Sequence, residues 1–521
     1  MHEIEPLLLA LMMAVAGLSV LARMVRVPYP ILLVLGGLVL GFVPGMPAVE
    51  LPPELVLVAF LPPLLYWSGF FSSPRDLRAD ARAISLLAVG LVLATTVAVA
   101  VLAHAMVQGM TWPAAFALGA IVSPTDPLAA SAIGRRLGVP RRLLTVLEGE
   151  SLVNDATALT AYRVAVAAAA SGSFVLWQAG LRFVVMAAGG VVVGLLVGWL
   201  VAELRRRLDD PLVEIVVSVF TGYAAYLPAE LLGVSGVLAA VTAGVYVGWR
   251  APGLSSAATR LLGFSFWEVL VYLANAVLFI LVGLQLRPIL EDLDGTAVAV
   301  LVAQGAVVSA VVIAVRLGWG FSIPYLVRLI DRRPSQVMRR AGARERLMIG
   351  WSGMRGAVSL AAALALPRDF PMRNLILFLT FSVILATLVV QGLTLPALIR
   401  RLRLEDDDSE EREELKGRLA ATYAALDRLD ELAGADWTRD DTVERLRGMY
   451  EFRRRRLKAR GGYLEDDGVE DRSQAYQRLL RELLGAQRDA ILRLRNQGKI
   501  SNDVMHRIER ELDLEDSRLE M

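Results

Sequence analysis

The residues best suited to chemistry lie between Leu147 and Leu159, where three carboxylates interrupt an otherwise apolar segment. That segment, residues 143–170, is long enough to cross a bilayer as a helix. A charged side chain at the centre of a bilayer costs about 3 kcal/mol or more. Such a density of acidic residues therefore indicates a functional site and not a simple membrane anchor.

Helical spacing divides the polar side chains of this stretch between two faces. Glu148, Ser151 and Asp155 are three and four residues apart, so they share one face of a helix. Glu150 and Asn154 are four residues apart and share the neighbouring face. We expect one face to line a water-filled cavity and the other to pair with another helix.

Two other apolar segments are interrupted near their middle. Residues 113–133 contain Pro124 and Pro127 on either side of Asp126, and proline removes backbone hydrogen bonds from a helix. Residues 346–366 contain Arg355 between two glycines. Backbone carbonyls released at such breaks, together with the ends of the half-helices, are suited to coordinating a cation.

Seven side chains on these three segments form the candidate site: Thr125, Asp126, Glu150, Ser151, Asn154, Asp155 and Arg355. Hard cations prefer oxygen ligands. The predicted ligands of Na⁺ or K⁺ are Asp155, Asp126, Thr125 and Ser151. A carboxylate in a membrane cavity binds either a proton or a small cation, and each displaces the other. Competition for one carboxylate therefore predicts exchange of a cation for a proton.

The arginine of the second break needs a permanent partner, because its guanidinium stays charged at working pH. Glu150 is the first choice for a structural ion pair with Arg355, which leaves Asp155 to bind ions. Other charged groups in the apolar segments, such as Glu214, Glu268 and Arg316, are interpreted as structural pairs or as residues that reach the membrane surface.

The composition predicts an all-α polytopic membrane protein, since 55% of the 521 residues are hydrophobic. A net charge of +2 gives no electrostatic case for nucleic acid as a partner. The absence of cysteine excludes disulfides and thiolate metal sites. No cofactor is predicted besides the transported ions, and the chain is expected to be a secondary active transporter and not an enzyme.

Hydropathy predicts about thirteen spans. Their approximate limits are 4–22, 30–45, 54–71, 82–108, 113–133, 143–170, 174–203, 211–229, 233–250, 261–287, 296–327, 346–366 and 374–400. Arginines follow spans one, three, five, seven, nine and eleven, whereas acidic residues such as Glu54, Asp292 and Asp294 lie in the intervening loops. Because basic loops face the cytoplasm, the N-terminus is predicted outside and the C-terminus inside.

The two interrupted spans are the fifth members of two six-span halves, which the seventh span separates. An odd number of intervening spans gives the halves opposite orientations, so the sequence predicts two inverted repeats with broken helices 5 and 12. Breaks at matching positions of inverted repeats indicate a transport site at the bilayer midplane.

The composition changes near residue 404, so residues 1–403 are assigned to the membrane domain and residues 404–521 to a helical cytoplasmic, regulatory tail. An acidic run at residues 405–411 opens the tail. Apolar residues then recur at helical spacing, among them Tyr476, Leu480, Leu483, Leu484, Ile491 and Leu494. Glycines at positions 461, 462 and 485 are expected to break these helices.

Other functions remain open from the residues alone. A cation channel or uniporter with a regulatory tail is the main alternative, although matched breaks favour a gated midplane site over a continuous pore. An intramembrane aspartyl protease using Asp126 and Asp155 is disfavoured, since the Gly-x-Gly-Asp signature is absent from every span. A membrane sensor is disfavoured because the tail has no recognisable catalytic motif.

Several motifs together resemble the monovalent cation/proton antiporter-1 family, which includes bacterial sodium/proton antiporters of the NhaP type. The matching residues are Thr125-Asp126-Pro127, the Glu150–Asp155 stretch, Gly353 to Ser359, Phe60 to Tyr66, and Phe266, Trp267, Glu268 and Asn275. The resemblance covers about residues 1–403.

The resemblance implies a thirteen-helix homodimer in a bacterial plasma membrane that takes part in pH homeostasis. It implies that Asp155 carries the ion with Thr125, Asp126 and Ser151 nearby, and that Glu150 and Arg355 form the stabilising pair. Asn154 before Asp155 resembles members whose exchange is electroneutral. Many members have an acidic residue after the Leu-Leu-Tyr motif, whereas Trp67 follows it here.

Overall fold

All regular secondary structure that the computed structural model describes is helical, which confirms the all-α part of the predicted fold class. The described residues are 4–44, 56–171, 176–291, 293, 297–330, 341–404, 409–464 and 468–517. The loop acids Glu54, Asp292 and Asp294 and residues 405–408 of the acidic run lie outside them. A backbone in lipid must satisfy its own hydrogen bonds, so long apolar runs fold as helices.

The first of two compact units, Met1–Asp406, contains the predicted membrane region. Its helices are α1 (Ile4–Val25), α2 (Tyr29–Gly41), α3 (Leu61–Phe70), α4 (Pro74–Ala79), α5 (Ala81–Met106), α6 (Trp112–Val122), α7 (Leu128–Arg136), α8 (Arg141–Ser171), α9 (Leu176–Arg205), α10 (Pro211–Leu231), α11 (Gly236–Arg250), α12 (Ala257–Glu291), α13 (Val298–Ile330), α14 (Ala343–Trp351), α15 (Ala357–Leu364) and α16 (Arg373–Leu402). Five-residue π-helical segments occur before α3 and inside α16, and a six-residue one inside α5.

Six helical stretches of the described chain are long and apolar enough to cross a membrane. They are Ala81–Met106, Gly180–Arg205, Pro211–Leu231, Ala257–Glu291, Val298–Val327 and Arg373–Leu402. Every other predicted span also falls on helix, but those helices are shorter, interrupted or more highly charged. The total of thirteen spans and the inverted repeats therefore stay predictions.

Glycines allow two helix pairs to approach so closely that a side chain would not fit between them. A Cβ atom at Gly37 of α2 would lie 2.2 Å from the carbonyl oxygen of Ile280 on α12. A Cβ atom at Gly244 of α11 would lie 2.3 Å from the carbonyl oxygen of Tyr66 on α3. Such close contacts between small residues are a main source of helix association in membranes.

The chain leaves the helical conformation at both predicted interruptions. Residues 123–127 separate α6 from α7, and residues 352–356 separate α14 from α15. The two breaks meet, because the backbone N–H of Asp126 donates to the carbonyl of Met354 across 2.8 Å. Four half-helix ends therefore converge on one place in the membrane unit.

The second compact unit, Asp407–Met521, contains α17 (Ser409–Leu432), α18 (Asp440–Arg460), α19 (Val469–Asn496) and α20 (Asn502–Ser517). The predicted apolar face of α19 is present in part: Leu484 and Ile491 are buried against Met505 and Leu512 of α20, and Leu480 packs against them. The other three predicted residues, Tyr476, Leu483 and Leu494, are exposed. The predicted break at Gly485 is wrong, since α19 continues through it. A single glycine costs a helix only about 1 kcal/mol, which the packing of the neighbouring apolar residues offsets.

Candidate functional site

The acidic stretch lies within one continuous helix, α8, which carries four of the predicted site residues. Glu150 and Asn154 are almost completely buried, with 1% and 0% of their surface exposed, and Asp155 is 8% exposed. Ser151 is half-buried one turn before Asp155. Burial of several polar groups on one helix requires partners on its neighbours.

Glu150 has its charge balanced by Arg316 of α13. The two terminal nitrogens of Arg316 donate to the two carboxylate oxygens of Glu150 at 2.5 and 2.8 Å. The hydroxyl of Thr125 donates to Oε1 of the same carboxylate at 2.8 Å. A two-pronged guanidinium–carboxylate pair with a further donor satisfies a charge that would be very unfavourable alone in a membrane.

The predicted ion pair between Glu150 and Arg355 is corrected by this geometry, because Arg316 occupies that place. Arg355 is also buried, but its Nε donates to the carbonyl of Val122 at 3.0 Å and its Nη1 donates to the carbonyl of Gly353. Val122 is the last residue of α6, and Gly353 lies just after α14. Arg355 thus places its charge where two half-helices end, and helix C-termini carry partial negative charge.

Asp126 occupies the complementary position, where two half-helices begin. Its Oδ1 accepts a hydrogen bond from the backbone N–H of Leu128 at 2.9 Å, in the first turn of α7. Gly356, which precedes α15, lies so close that a Cβ atom there would be 2.2 Å from Oδ2 of Asp126. Helix N-termini favour negative charge, so the crossing places its acid and its base at opposite half-helix ends.

Asn154 ties α8 to the first break. Its Nδ2 donates to the backbone carbonyl of Thr125 at 2.9 Å and to the Thr125 hydroxyl oxygen at 3.1 Å. Its Oδ1 is buried and has no hydrogen-bond partner among the described residues. The structure thus brings Thr125, Glu150 and Asn154 into one hydrogen-bond network.

Asp155 differs from its neighbours, since no described residue hydrogen-bonds or ion-pairs with its carboxylate. Asp126 is close enough for the two carboxylates to repel each other electrostatically. Ser151 shares the face of Asp155 and likewise makes no hydrogen bond through its side chain to the described part of the chain. The arrangement leaves an acidic pair and a nearby hydroxyl available to a ligand.

Other charged residues of the membrane unit form peripheral pairs. Glu148 contacts Arg135 at 2.5 Å with both side chains substantially exposed, and Glu214 pairs with buried Arg205 at 3.0 Å. The structural interpretation of Glu214 thus agrees with the geometry, whereas Glu268 is exposed on α12. Arg316 likewise forms a structural pair, with Glu150, although the sequence did not identify this partner. Its position in the middle of an apolar span was the only signal of its importance.

Trp67 packs against another tryptophan at the position where many members of the resembled family have an acid. Its ring lies 5.2 Å from that of Trp267, centroid to centroid, with 17° between the ring planes. The chain therefore has an aromatic stack here, and no carboxylate at this position contributes to the site.

Interrupted helices that cross, with buried acidic and basic residues at their ends, define a polytopic membrane protein whose polar site lies among its helices. The family profile described as "Sodium/hydrogen exchanger, transmembrane" matches residues 8–401. The chain therefore belongs to the sodium/hydrogen exchanger family, as the motifs predicted. Members of this family are transporters.

Relatives extend the match over nearly the whole chain. An uncharacterised Na⁺/H⁺ exchanger of Mycobacterium tuberculosis is 39% identical, over 98% of this chain and 95% of its own length. A sodium, potassium, lithium and rubidium/H⁺ antiporter of Bacillus subtilis is 33% identical over 76% of this chain and 61% of its own. The solved sodium proton antiporter of Methanocaldococcus jannaschii has the same fold, with a TM-score of 0.57 and 20% identity over 77% of this chain and 99% of its own.

Proposed function

We propose that the protein exchanges Na⁺ or K⁺ for H⁺ across a bacterial plasma membrane without net movement of charge. Membership of the sodium/hydrogen exchanger family supports cation/proton exchange as the activity. The names of the Bacillus and Methanocaldococcus relatives describe antiport of sodium for protons, and the Bacillus protein is named for potassium as well.

The observation that carries the proposal is the unpaired carboxylate of Asp155. On the same helix Glu150 accepts hydrogen bonds from Arg316 and Thr125, so it has no need of a further cation. Asp155 has no such partner among the described residues, and a buried carboxylate is stable only with a proton or a cation on it. One carboxylate that takes one proton or one monovalent cation exchanges them one for one.

The cation would be held by oxygen atoms, as hard cations require. Asp155 and Asp126 supply carboxylates, while Ser151 and Thr125 supply hydroxyls. Thr125 already donates its hydrogen to Glu150, so its oxygen presents only lone pairs to an ion. Asn154 would set the position of Thr125 through its two hydrogen bonds.

Exchange would proceed by alternating access, in which the site opens to each side of the membrane in turn. We propose that the protein works as a homodimer, with its N-terminus outside and its C-terminus in the cytoplasm, where residues 404–521 would regulate it. Arginine-rich loops support this orientation.

Everted membrane vesicles test the proposal. A pH-sensitive dye reports proton release when Na⁺, K⁺ or Li⁺ is added to respiring vesicles that contain the full-length protein. Asp155→Asn is expected to abolish the response, whereas Glu148→Gln is the matched control: it removes an exposed carboxylate of the same helix that pairs with Arg135. Clamping the membrane potential with an ionophore should leave the wild-type rate unchanged.

Exchange that survives in Asp155→Asn would exclude Asp155 as the ion carrier. A cation-dependent signal that disappears once the potential is clamped would instead support a uniporter or channel. Comparing the full chain with one that ends at residue 403 would show whether the tail alters the dependence of the rate on pH.

A further inference from the structure

A cavity of about 190 Å³ lies between α5, α8, α13 and α14. It lies near the helix ends that the arginine distribution assigns to the cytoplasm. Its wall is largely apolar and includes the side chains of Leu86, Leu87, Val146 and Ile323. None of the residues predicted to bind the transported ion lines it.

Two buried hydrogen-bond donors on the cavity wall lack acceptors. Nη1 of Arg346, on α14, and Nε1 of Trp319, on α13, have no hydrogen-bond partner within the described ranges. A buried donor without an acceptor is destabilising, and more so when it is charged. Two such donors on one wall indicate a ligand rich in acceptor oxygens.

Arg346 is also distinguished by its charge. Buried Arg205 and Arg316 each pair with a buried glutamate. Buried Arg355 donates instead to two carbonyls at half-helix ends. Arg346 is 7% exposed, and its Nε donates to the carbonyl of Gly342 at 3.3 Å. Its guanidinium lies over two aromatic rings of α13, those of Phe321 and Tyr325. No carboxylate of the described chain forms an ion pair with it, so an anion would complete its surroundings.

The other charged residues that line the cavity are Asp80, Arg82 and Arg142. Arg142 donates to Asp80 through Nε and Nη2, at 3.1 and 3.0 Å, so those two charges offset each other. Arg346 then adds a positive charge, and Asp80 is the one acid among the described residues of the wall. The cavity is thus electrostatically suited to an anion and sterically suited to an apolar chain.

We propose that this cavity binds the phosphate headgroup of an anionic phospholipid, with Arg346 and Trp319 as its donors. A phosphodiester supplies acceptor oxygens and one negative charge. The cavity is too small for a whole lipid, so the first part of one acyl chain would follow the apolar wall of Leu86, Leu87, Val146 and Ile323. The rest would continue along the outer surface of α13, where Tyr325 and Leu326 are exposed. A free phosphate ion would leave that apolar wall without a partner.

The test uses the full-length protein in detergent, to which dioleoyl phosphatidylglycerol, dioleoyl phosphatidylcholine or inorganic phosphate is added. Native mass spectrometry counts bound lipids, and thermal unfolding reports the stabilisation. We expect phosphatidylglycerol to bind and to raise the melting temperature, and the other two probes to have little effect. Arg346→Gln should weaken phosphatidylglycerol binding at least tenfold, since hydrogen bonds to charged groups contribute about 1.5–3 kcal/mol.

Arg400→Gln is the matched control. Arg400 also donates Nε to the carbonyl four residues earlier, but it is exposed on α16 and is not part of the cavity wall. It should retain wild-type binding. Trp319→Phe removes only the ring N–H and should weaken binding severalfold, which keeps the proposal testable if Arg346→Gln does not fold.

Three results would overturn the proposal. Equal binding of the two phospholipids would exclude recognition of the anionic headgroup. Stabilisation by inorganic phosphate as large as that by phosphatidylglycerol would show a simple anion site. Wild-type binding by both Arg346→Gln and Trp319→Phe would place any lipid elsewhere.

Discussion

Two successive polar turns of α8 carry carboxylates in opposite surroundings. Glu150 accepts three hydrogen bonds, two from Arg316 and one from Thr125, and is sealed among the helices. Asp155, five residues later, has no hydrogen-bond or ion-pair partner among the described residues and keeps a small exposed surface.

The difference separates two uses of a buried acid. A carboxylate with a permanent counter-charge holds helices together, whereas one without such a counter-charge must take up a mobile cation or a proton. Variants of the two carboxylates and of their surroundings should therefore differ in their free energy of unfolding.

Arg316→Ala should have the largest effect, because it leaves the charge of Glu150 buried without a counter-charge. Removal of one partner of a buried pair costs about 3–5 kcal/mol. Thermal unfolding of the detergent-solubilised protein measures the loss. Arg135→Ala is the control, since Arg135 pairs with exposed Glu148, and it should change the stability by less than about 1 kcal/mol. Equal melting temperatures for the two variants would contradict the buried pair.

Thr125→Val should have an intermediate effect, because it removes the hydroxyl between Glu150 and Asn154. The loss of a hydrogen bond to a charged group predicts a destabilisation of about 1.5–3 kcal/mol. Thr125→Ser keeps the hydroxyl and should recover most of the stability. The same unfolding assay compares the three proteins, and a serine variant as unstable as the valine variant would show that the methyl group matters more.

Asp155→Asn should change the stability of the ion-free protein little, since it removes repulsion from Asp126 and breaks no described hydrogen bond. The informative quantity is the effect of Na⁺. A ligand at 100 times its dissociation constant stabilises a protein by about 2.7 kcal/mol, so a saturating cation should raise the wild-type melting temperature and leave that of the variant unchanged. An equal shift in both would place the cation elsewhere.

The smallest effect is expected in the tail, where an ion pair is partly exposed. Arg456 donates to Glu470 at 3.1 and 3.3 Å, and this hydrogen bonding holds the pKa of the Glu470 carboxyl below its usual value. The pair therefore stabilises the tail above the usual glutamate pKa, and this contribution is lost as the pH falls through the lowered value. Glu470→Gln should remove this dependence, worth at most about 1 kcal/mol.

Hydrogen exchange of α18 and α19 in the full-length protein, corrected for intrinsic rates at each pH, measures this contribution. Identical pH dependence in the wild type and in Glu470→Gln would show that the pair contributes nothing.

Features with a local signal could be predicted from the sequence. Prolines around Asp126 and glycines around Arg355 specify breaks through backbone chemistry. The density of acidic residues on α8 indicates a functional site whatever the position of that helix in the fold. The partner of Glu150 had no local signal, because Arg316 and Arg355 are both single arginines in apolar spans. Which one reaches the acid depends on the depth and rotation of α13 and on the path of the break between α14 and α15, which only packing decides.

The tail shows the same limit. Helical spacing predicted part of the buried face of α19, namely Leu480, Leu484 and Ile491, but also assigned to it residues that are exposed. The predicted break at Gly485 is wrong because the packing of the neighbouring residues is not visible in the sequence. Local rules thus predicted the two breaks and the acidic helix, whereas pairings between distant elements, such as that of Glu150 with Arg316, required the structure.

The link between the two breaks is made by main-chain atoms, the N–H of Asp126 and the carbonyl of Met354. Any amino acid except proline supplies that N–H group, and every amino acid supplies that carbonyl. This hydrogen bond by itself therefore does not fix which side chains stand at positions 126 and 354. Related chains are thus able to diverge in their choice of ion while inheriting the same scaffold.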